Sequence, residues 1–202
     1  MVERYHVRWS GPDGLLVAEE PTPSEVQTCA SALAQAYSEP HNRAMMTHTG
    51  DTKPEDVVSL YTQMIRDTGR PFLLYHDQTL MGDADFRQIE VDRAEFAIMV
   101  GERARQGRGF GTRFATMLHL FAFRTLRLQR VYVTIIPENI ASQRLFARLG
   151  YVHDDSPQAR AYSDEPGDIC MSVGWEQFEQ AHSAVLGQIQ IQPRAHDRAL
   201  QT

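Results

Sequence analysis

At 202 residues, with 42% hydrophobic and 23% charged residues, the chain has the makeup of one globular domain. A chain of this size buries roughly 70% of its unfolded surface without disulfides or a structural metal, and it contains no apolar run near the ~20 residues of a membrane span. A net charge of −6 argues against a nucleic-acid binder and suits a cationic partner such as an amine.

The opening residues, Met1 to His6, lack the apolar core of a secretory signal. Cys29 and Cys170 lie far apart without ligand spacing, as free thiols in a reducing compartment would. A cytoplasmic location is therefore expected, with no membrane partner. No His/Cys/carboxylate cluster has metal spacing, so no metal is expected.

In chain order, residues 15–19 read as a short strand. Ser24 is placed to cap a helix through Val26, Ala30, Leu33, Ala34 and Tyr37. Residues 38–53, with Pro40, Gly50 and several polar turn formers, read as a loop. A second helix starts at Pro54, a residue suited to the first helical position, and stops at Gly69. The period then changes to two. Residues 71–76, 80–89 and 94–100 read as three strands, and links this short make them an antiparallel meander. Asp83, Asp85, Glu90 and Asp92 crowd this region, as a lure for a cationic substrate or as a solvated edge.

Next comes Gln106-Gly107-Arg108-Gly109-Phe110-Gly111-Thr112, between a strand and a long amphipathic helix over 111–126. Glycines at alternate positions permit left-handed backbone and close approach of a ligand. Free N–H groups and the dipole at the start of the helix point at one spot, which suits a pyrophosphate. Arg105 and Arg108 add positive charge at its edge. A P-loop would need Gly-Lys-Ser/Thr here, and the dinucleotide fingerprint needs a different third spacing and a parallel sheet.

Residues 130–136 form a β-branched strand ended by Pro137. Asn139 caps a helix carrying Leu145, Phe146 and Leu149, and Gly150 stands where a left-handed C-cap belongs. His119 reads as structural. A last strand over 169–173 precedes Trp175 and Phe178, which offer a surface for a second copy, and 187–202 read as a polar, mobile end. This order gives a mixed α/β sheet, one domain over 1–180 and a polar tail over 181–202.

Two motifs resemble the GCN5-related N-acetyltransferases (GNAT). Their pyrophosphate motif, Gln/Arg-x-x-Gly-x-Gly/Ala, is matched by Gln106, Gly109 and Gly111, and their second signature by Asn139, Ser142, Phe146 and Gly150-Tyr151. The resemblance spans roughly residues 15–175. It looks closest to the ribosomal-protein N-terminal acetyltransferase branch, which shares the helix pair before the meander and the Asp168…Trp175 ending. It implies a single-domain GNAT-like fold: a mostly antiparallel sheet of six to seven strands, flanking helices and a splayed central strand pair. It also implies acetyl-coenzyme A as co-substrate and a primary amine as acceptor, either a protein N-terminus or a small polyamine-like or drug-like amine.

Acyl transfer from a thioester needs a neutral amine, a polarised carbonyl and a leaving thiolate. Glu95 is the first candidate base: alternation puts it on one face with Ala97 and Met99, where apolar neighbours favour a proton acceptor, and many relatives carry a glutamate there. The family's usual acid is a tyrosine at the position of Phe146, which donates no proton; Ser142, one turn earlier, is the candidate substitute. By resemblance, the backbone of Ala97, Ile98, Met99 and Val100 pairs with the pantetheine arm, Asn139 contacts that arm or its sulfur, and Arg144 and Arg148 reach the 3′-phosphate. Phe146 itself also reads as a coenzyme-binding position. A coenzyme A-binding module without catalysis, and a nucleotide-binding domain using the same turn, are the competing readings.

Overall fold

The computed structural model describes residues 3–46, 50–101, 106–163 and 165–194. Strands β1 (Tyr5–Gly11) and β2 (Gly14–Glu19) form a hairpin, followed by helices α1 (Pro23–Ser38), α2 (Pro40–Met45) and α3 (Pro54–Arg66). The meander is β3 (Arg70–His76), β4 (Thr79–Arg87) and β5 (Arg93–Val100). Then come α4 (Phe110–Arg124), β6 (Arg130–Ile135), α5 (Ile140–Arg148), β7 (Val152–His153) and α6 (Pro157–Arg160). The described chain closes with β8 (Ile169–Gly174), α7 (Trp175–Leu186) and β9 (Ile189–Pro193).

Among the described residues the strands make one nine-stranded sheet in the order β7-β8-β6-β5-β4-β3-β2-β1-β9. Only β5 and β6 run parallel. The GNAT-like mixed sheet is as expected, with more strands than the six to seven anticipated. β1 was not foreseen, because its sequence alternates charged and aromatic residues around a single fully buried Val7. β9 falls in the stretch expected to be a mobile end. Ile189 and Ile191 pack on the core, β9 pairs with β1, and the Arg194 guanidinium holds both Glu25 oxygens at 2.6 and 2.9 Å.

Local chemistry explains the helix starts. α1 is capped by Thr22, whose hydroxyl accepts from the Glu25 N–H while the Glu25 carboxylate accepts from the Thr22 N–H. This reciprocal box places the cap before Pro23 rather than at Ser24. Asn139 caps α5 by accepting from the Ser142 N–H at 3.0 Å, and Gly150 (φ 93°) ends it, as expected.

Two layers flank the sheet. α4 packs beneath one face, where Phe114, Met117, Leu118 and Phe121 join β-strand residues such as Phe72, Phe86 and Val131. α1 and α3 cover the other face with Val26, Leu33, Val57 and Tyr61. His119 is buried in α4 among aromatic rings. Its Nδ1–H donates to the Ala115 carbonyl at 2.7 Å, which leaves Nε2 to accept from the Tyr151 hydroxyl at 2.6 Å. Burial drives its pKa down to about 3, so it is a neutral core residue, as its place in the helix implied. Phe178 is also fully buried, against Trp175 and Phe123, so it offers no surface to a second copy.

Candidate active site

β5 and β6 pair over three positions only: Arg93 with Arg130, Ala94 with Val131 and Glu95 with Tyr132. Beyond Glu95 both strands continue but separate, so the β5 edge from Phe96 to Val100 has no strand partner on that side among the described residues. The separation is the expected splay. It opens a cleft of about 350 Å³ between the β5 edge and α5.

The glycine turn closes one end of this cleft. Gly107 (φ 73°) and Gly109 (φ 84°) are left-handed, a conformation that costs other residues about 1–2 kcal/mol. Gly109 is also the N-cap of α4, and without a side chain it leaves the first N–H groups of the helix uncapped. At Gly111 a Cβ would lie 2.9 Å from the Leu145 side chain, so glycine lets α4 and α5 approach across the cleft. A water-facing helix start with no side-chain cap among the described residues, at one end of a cleft, presents free N–H groups and a dipole of the kind that suits an anion.

A family model described as "Acetyltransferase (GNAT) domain" matches residues 21–152. The chain belongs to the GNAT acetyltransferase family. It is thus an acetyltransferase that uses acetyl-coenzyme A, as the two motifs implied. Solved structures share its fold. RimJ from Mycobacterium smegmatis, in complex with CoA-disulfide, is 18% identical and superposes with a TM-score of 0.72 over 92% of this chain and 96% of that one. Spermidine N-acetyltransferase from Vibrio cholerae, in complex with CoA and spermine, is 18% identical with a TM-score of 0.65 over 81% and 97%. The aminoglycoside acetyltransferase AAC(6')-Ib, in complex with coenzyme A, is 14% identical with a TM-score of 0.66 over 82% and 98%. The likeness to RimJ is consistent with the branch expected from the sequence. No curated protein sequence matches the chain.

Of the residues expected to bind coenzyme, this GNAT fold brings Ile98, Met99, Val100, Gln106, Gly107, Gly109, Gly111, Thr112, Asn139 and Ser142 to the cleft lining. Arg144 and Arg148 line it too. Ala97, Arg108, Phe110 and Phe146 are not brought to it. Phe110 turns into the core against His76, and the Arg108 guanidinium lies over its ring. Phe146 is buried against Phe96 and Tyr151. Arg105 lies outside the described residues. The cleft also has a roof that sequence reasoning missed: His41, Asn42, Met45 and Met46, on and just after α2, in the stretch read as a loop. The signal was present in Glu39-Pro40, where Glu39 ends α1 and its carboxylate accepts from the Asn42 N–H as the cap of α2.

Glu95 stands where the paired strands part, with its side chain 13% exposed. Its surroundings are not the apolar ones expected. On the adjacent strand Arg87 reaches both carboxylates beside it, with Nε 3.6 Å from Glu95 and 2.9 Å from Asp85. Arg93 pairs instead with Glu90 at 2.7 Å. Asp83 and Asp85 lie on β4, within the strand read over 80–89, and alternation puts both on one face with Arg87. There Asp83 meets Tyr37 of α1 and Tyr61 of α3 rather than forming an acidic edge with Glu90 and Asp92.

Asp83 is buried, and its Oδ2 accepts from the Tyr37 hydroxyl at 2.5 Å and the Tyr61 hydroxyl at 2.9 Å. Burial pushes its carboxyl up to about 6, against the lowering effect of the two phenols. The unfolded chain therefore loses this proton from about pH 4, while the fold keeps it until about pH 6. The contribution to stability is full below about pH 4 and is lost as pH rises through about 6. Asp83→Asn keeps an oxygen for both phenols and removes the titration. Its stability relative to the parent should rise by up to about 3 kcal/mol between pH 4 and pH 7, read from urea unfolding midpoints. A difference that stays flat with pH would show that Asp83 is ionised in the fold at pH 4.

Proposed function

We propose that this acetyltransferase moves an acetyl group from acetyl-coenzyme A to a primary amine, a protein N-terminus or a small amine, by direct attack. The reading rests on one observation above all: a forked β5–β6 pair whose open edge leads from a carboxylate, Glu95, to an uncapped helix start at Gly109. The turn and the first N–H groups of α4 hold the pyrophosphate, with Arg144 and Arg148 beside them. The β5 edge of Ile98, Met99 and Val100, which has no strand partner on that side among the described residues, pairs with the amides of the pantetheine arm as a strand accepts an extended peptide. Glu95 takes a proton from the ammonium, directly or through water, and Ser142 assists the leaving thiolate from the first turn of α5.

The neighbours named for spermidine and for an aminoglycoside are acetyltransferases of amines, and the acidic chain suits a cationic acceptor. Action in the cytoplasm fits two free thiols, and no helix among the described residues is long and apolar enough to cross a membrane. Self-association as a homodimer is part of the same reading, through surfaces other than Phe178.

Two measurements test it. Free coenzyme A should raise the melting temperature by mass action, while ATP and NAD should not; stabilisation by ATP alone would sink the reading. Thiol release from acetyl-coenzyme A should then appear with spermidine or with a short peptide bearing a free N-terminus. One observation favours a non-catalytic coenzyme-binding module: Phe146, in place of the family's tyrosine, is packed into the core. Tight coenzyme binding without thiol release from a broad set of amines would favour that module.

A further inference from the structure

We infer that Asn42, on α2, is a positioning residue that holds Gln106 and the pyrophosphate turn in their binding geometry. The inference rests on the coenzyme A reading above. Asn42 is 4% exposed, so its amide has to find partners within the protein. It does so at three points. Its Nδ2 donates to the Ala36 carbonyl at 2.9 Å, near the end of α1, and to the Gly101 carbonyl at 2.8 Å, just past β5. Its Oδ1 accepts from the Gln106 Nε2 at 2.9 Å. Gln106 spends its second N–H on the Val100 carbonyl at 2.8 Å. The two side-chain amides thus form a chain running from α1 through α2 to the turn. They satisfy the successive carbonyls of Val100 and Gly101, where the β4–β5 ladder ends at the Gly82–Val100 pair.

The turn needs such a tether. Gly107 and Gly109 are both left-handed, and among the described residues a Cβ at either would meet nothing within 4 Å, so these two positions offer no side-chain packing to fix the turn. A glycine-rich loop left free has to be ordered when the ligand binds, which weakens binding. Gln106 opens the family's pyrophosphate motif, yet its side chain points back to β5 and α2. It therefore acts on the coenzyme by shaping the turn, and Asn42 fixes its amide orientation, since both hydrogens of the Asn42 amide are already committed. α2 is anchored on the far bank as well, where the Asn139 Nδ2 donates to the Met45 carbonyl at 3.3 Å.

Titration calorimetry with free coenzyme A tests this on the parent chain, Asn42→Ala, Gln106→Ala and the double variant, each with its melting temperature. Asn42→Ala should weaken coenzyme A about tenfold, Gln106→Ala by a similar factor, and the double variant no more than the weaker single, because both act through one bridge. With whichever of spermidine or the peptide turns over, the KM for acetyl-coenzyme A should rise in step while kcat moves less than about threefold. Gln106 sits on the turn rather than in the core, so its variant keeps the test decisive if Asn42→Ala loses stability. Binding within about twofold of the parent in either single variant, or losses that multiply in the double, would overturn the inference. A parent chain that takes up no coenzyme A overturns the acetyltransferase reading and this inference together.

Discussion

Glu95→Gln is expected to lower kcat by about 10²–10³-fold at neutral pH, with coenzyme A affinity unchanged, the range seen when a positioned proton acceptor is removed. The amide keeps the shape of the side chain at the parting of β5 and β6 but takes up no proton. Arg87 retains Asp85 at 2.9 Å as its partner, so the loss should not travel through the fold. The pH profile carries the decisive signature. The variant depends on amine that is already neutral, so its rate should climb about tenfold per pH unit toward the pKa of the acceptor, while the parent levels off earlier. Full activity in the variant from about pH 6 to about pH 9 would remove Glu95 from the mechanism, and a lowered melting temperature would mark the Arg87 pair as structural instead.

Gly109→Asp should leave the protein folded and weaken coenzyme A by about 10²–10³-fold. A carboxylate a few ångströms from a pyrophosphate costs roughly 3–4 kcal/mol near a protein surface. The site has room for the side chain, since among the described residues a Cβ on Gly109 meets nothing within 4 Å. The left-handed backbone (φ 84°) still strains any side chain, but aspartate tolerates it better than most residues. The side chain also competes for the first N–H groups of α4 as an N-cap would. Gly109→Asn has nearly the same shape without the charge and should lose only about tenfold. Equal losses in the two variants would point to backbone strain as the cause, and coenzyme binding unchanged in both would place the pyrophosphate elsewhere. The measurement is again calorimetric titration with coenzyme A, at low and high salt, because a charge effect shrinks as salt rises.

What could be read from the residues alone was local in origin. Asn139 before α5, Gly150 after it and the glycines ahead of α4 act within a turn of where they stand, so their spacing carries their geometry. The same holds for the meander, whose short links force antiparallel neighbours. Phe146 shows the other side. Its register in the motif was legible, but which way its ring turns depends on Phe96, from β5, and on Tyr151, in the link just past α5. Asp83 and Asp85 read as part of an acidic patch because sequence proximity to Glu90 and Asp92 says nothing about which face of a strand a carboxylate occupies once helices pack on it.

The glycine turn and its uncapped helix, together with the Asn139 signature, were determined by the sequence itself, because backbone freedom and capping are properties of a few consecutive residues. The tertiary structure alone decided the rest. Glu95 became the last paired residue of a fork through a strand pairing that joins residues more than 30 positions apart. Asn42 came to hold Gln106 through a contact across 64 positions. β9 closed the far edge of the sheet against β1 from the opposite end of the chain. Such contacts depend on which surfaces meet after the core has formed, and no window of consecutive residues encodes that choice.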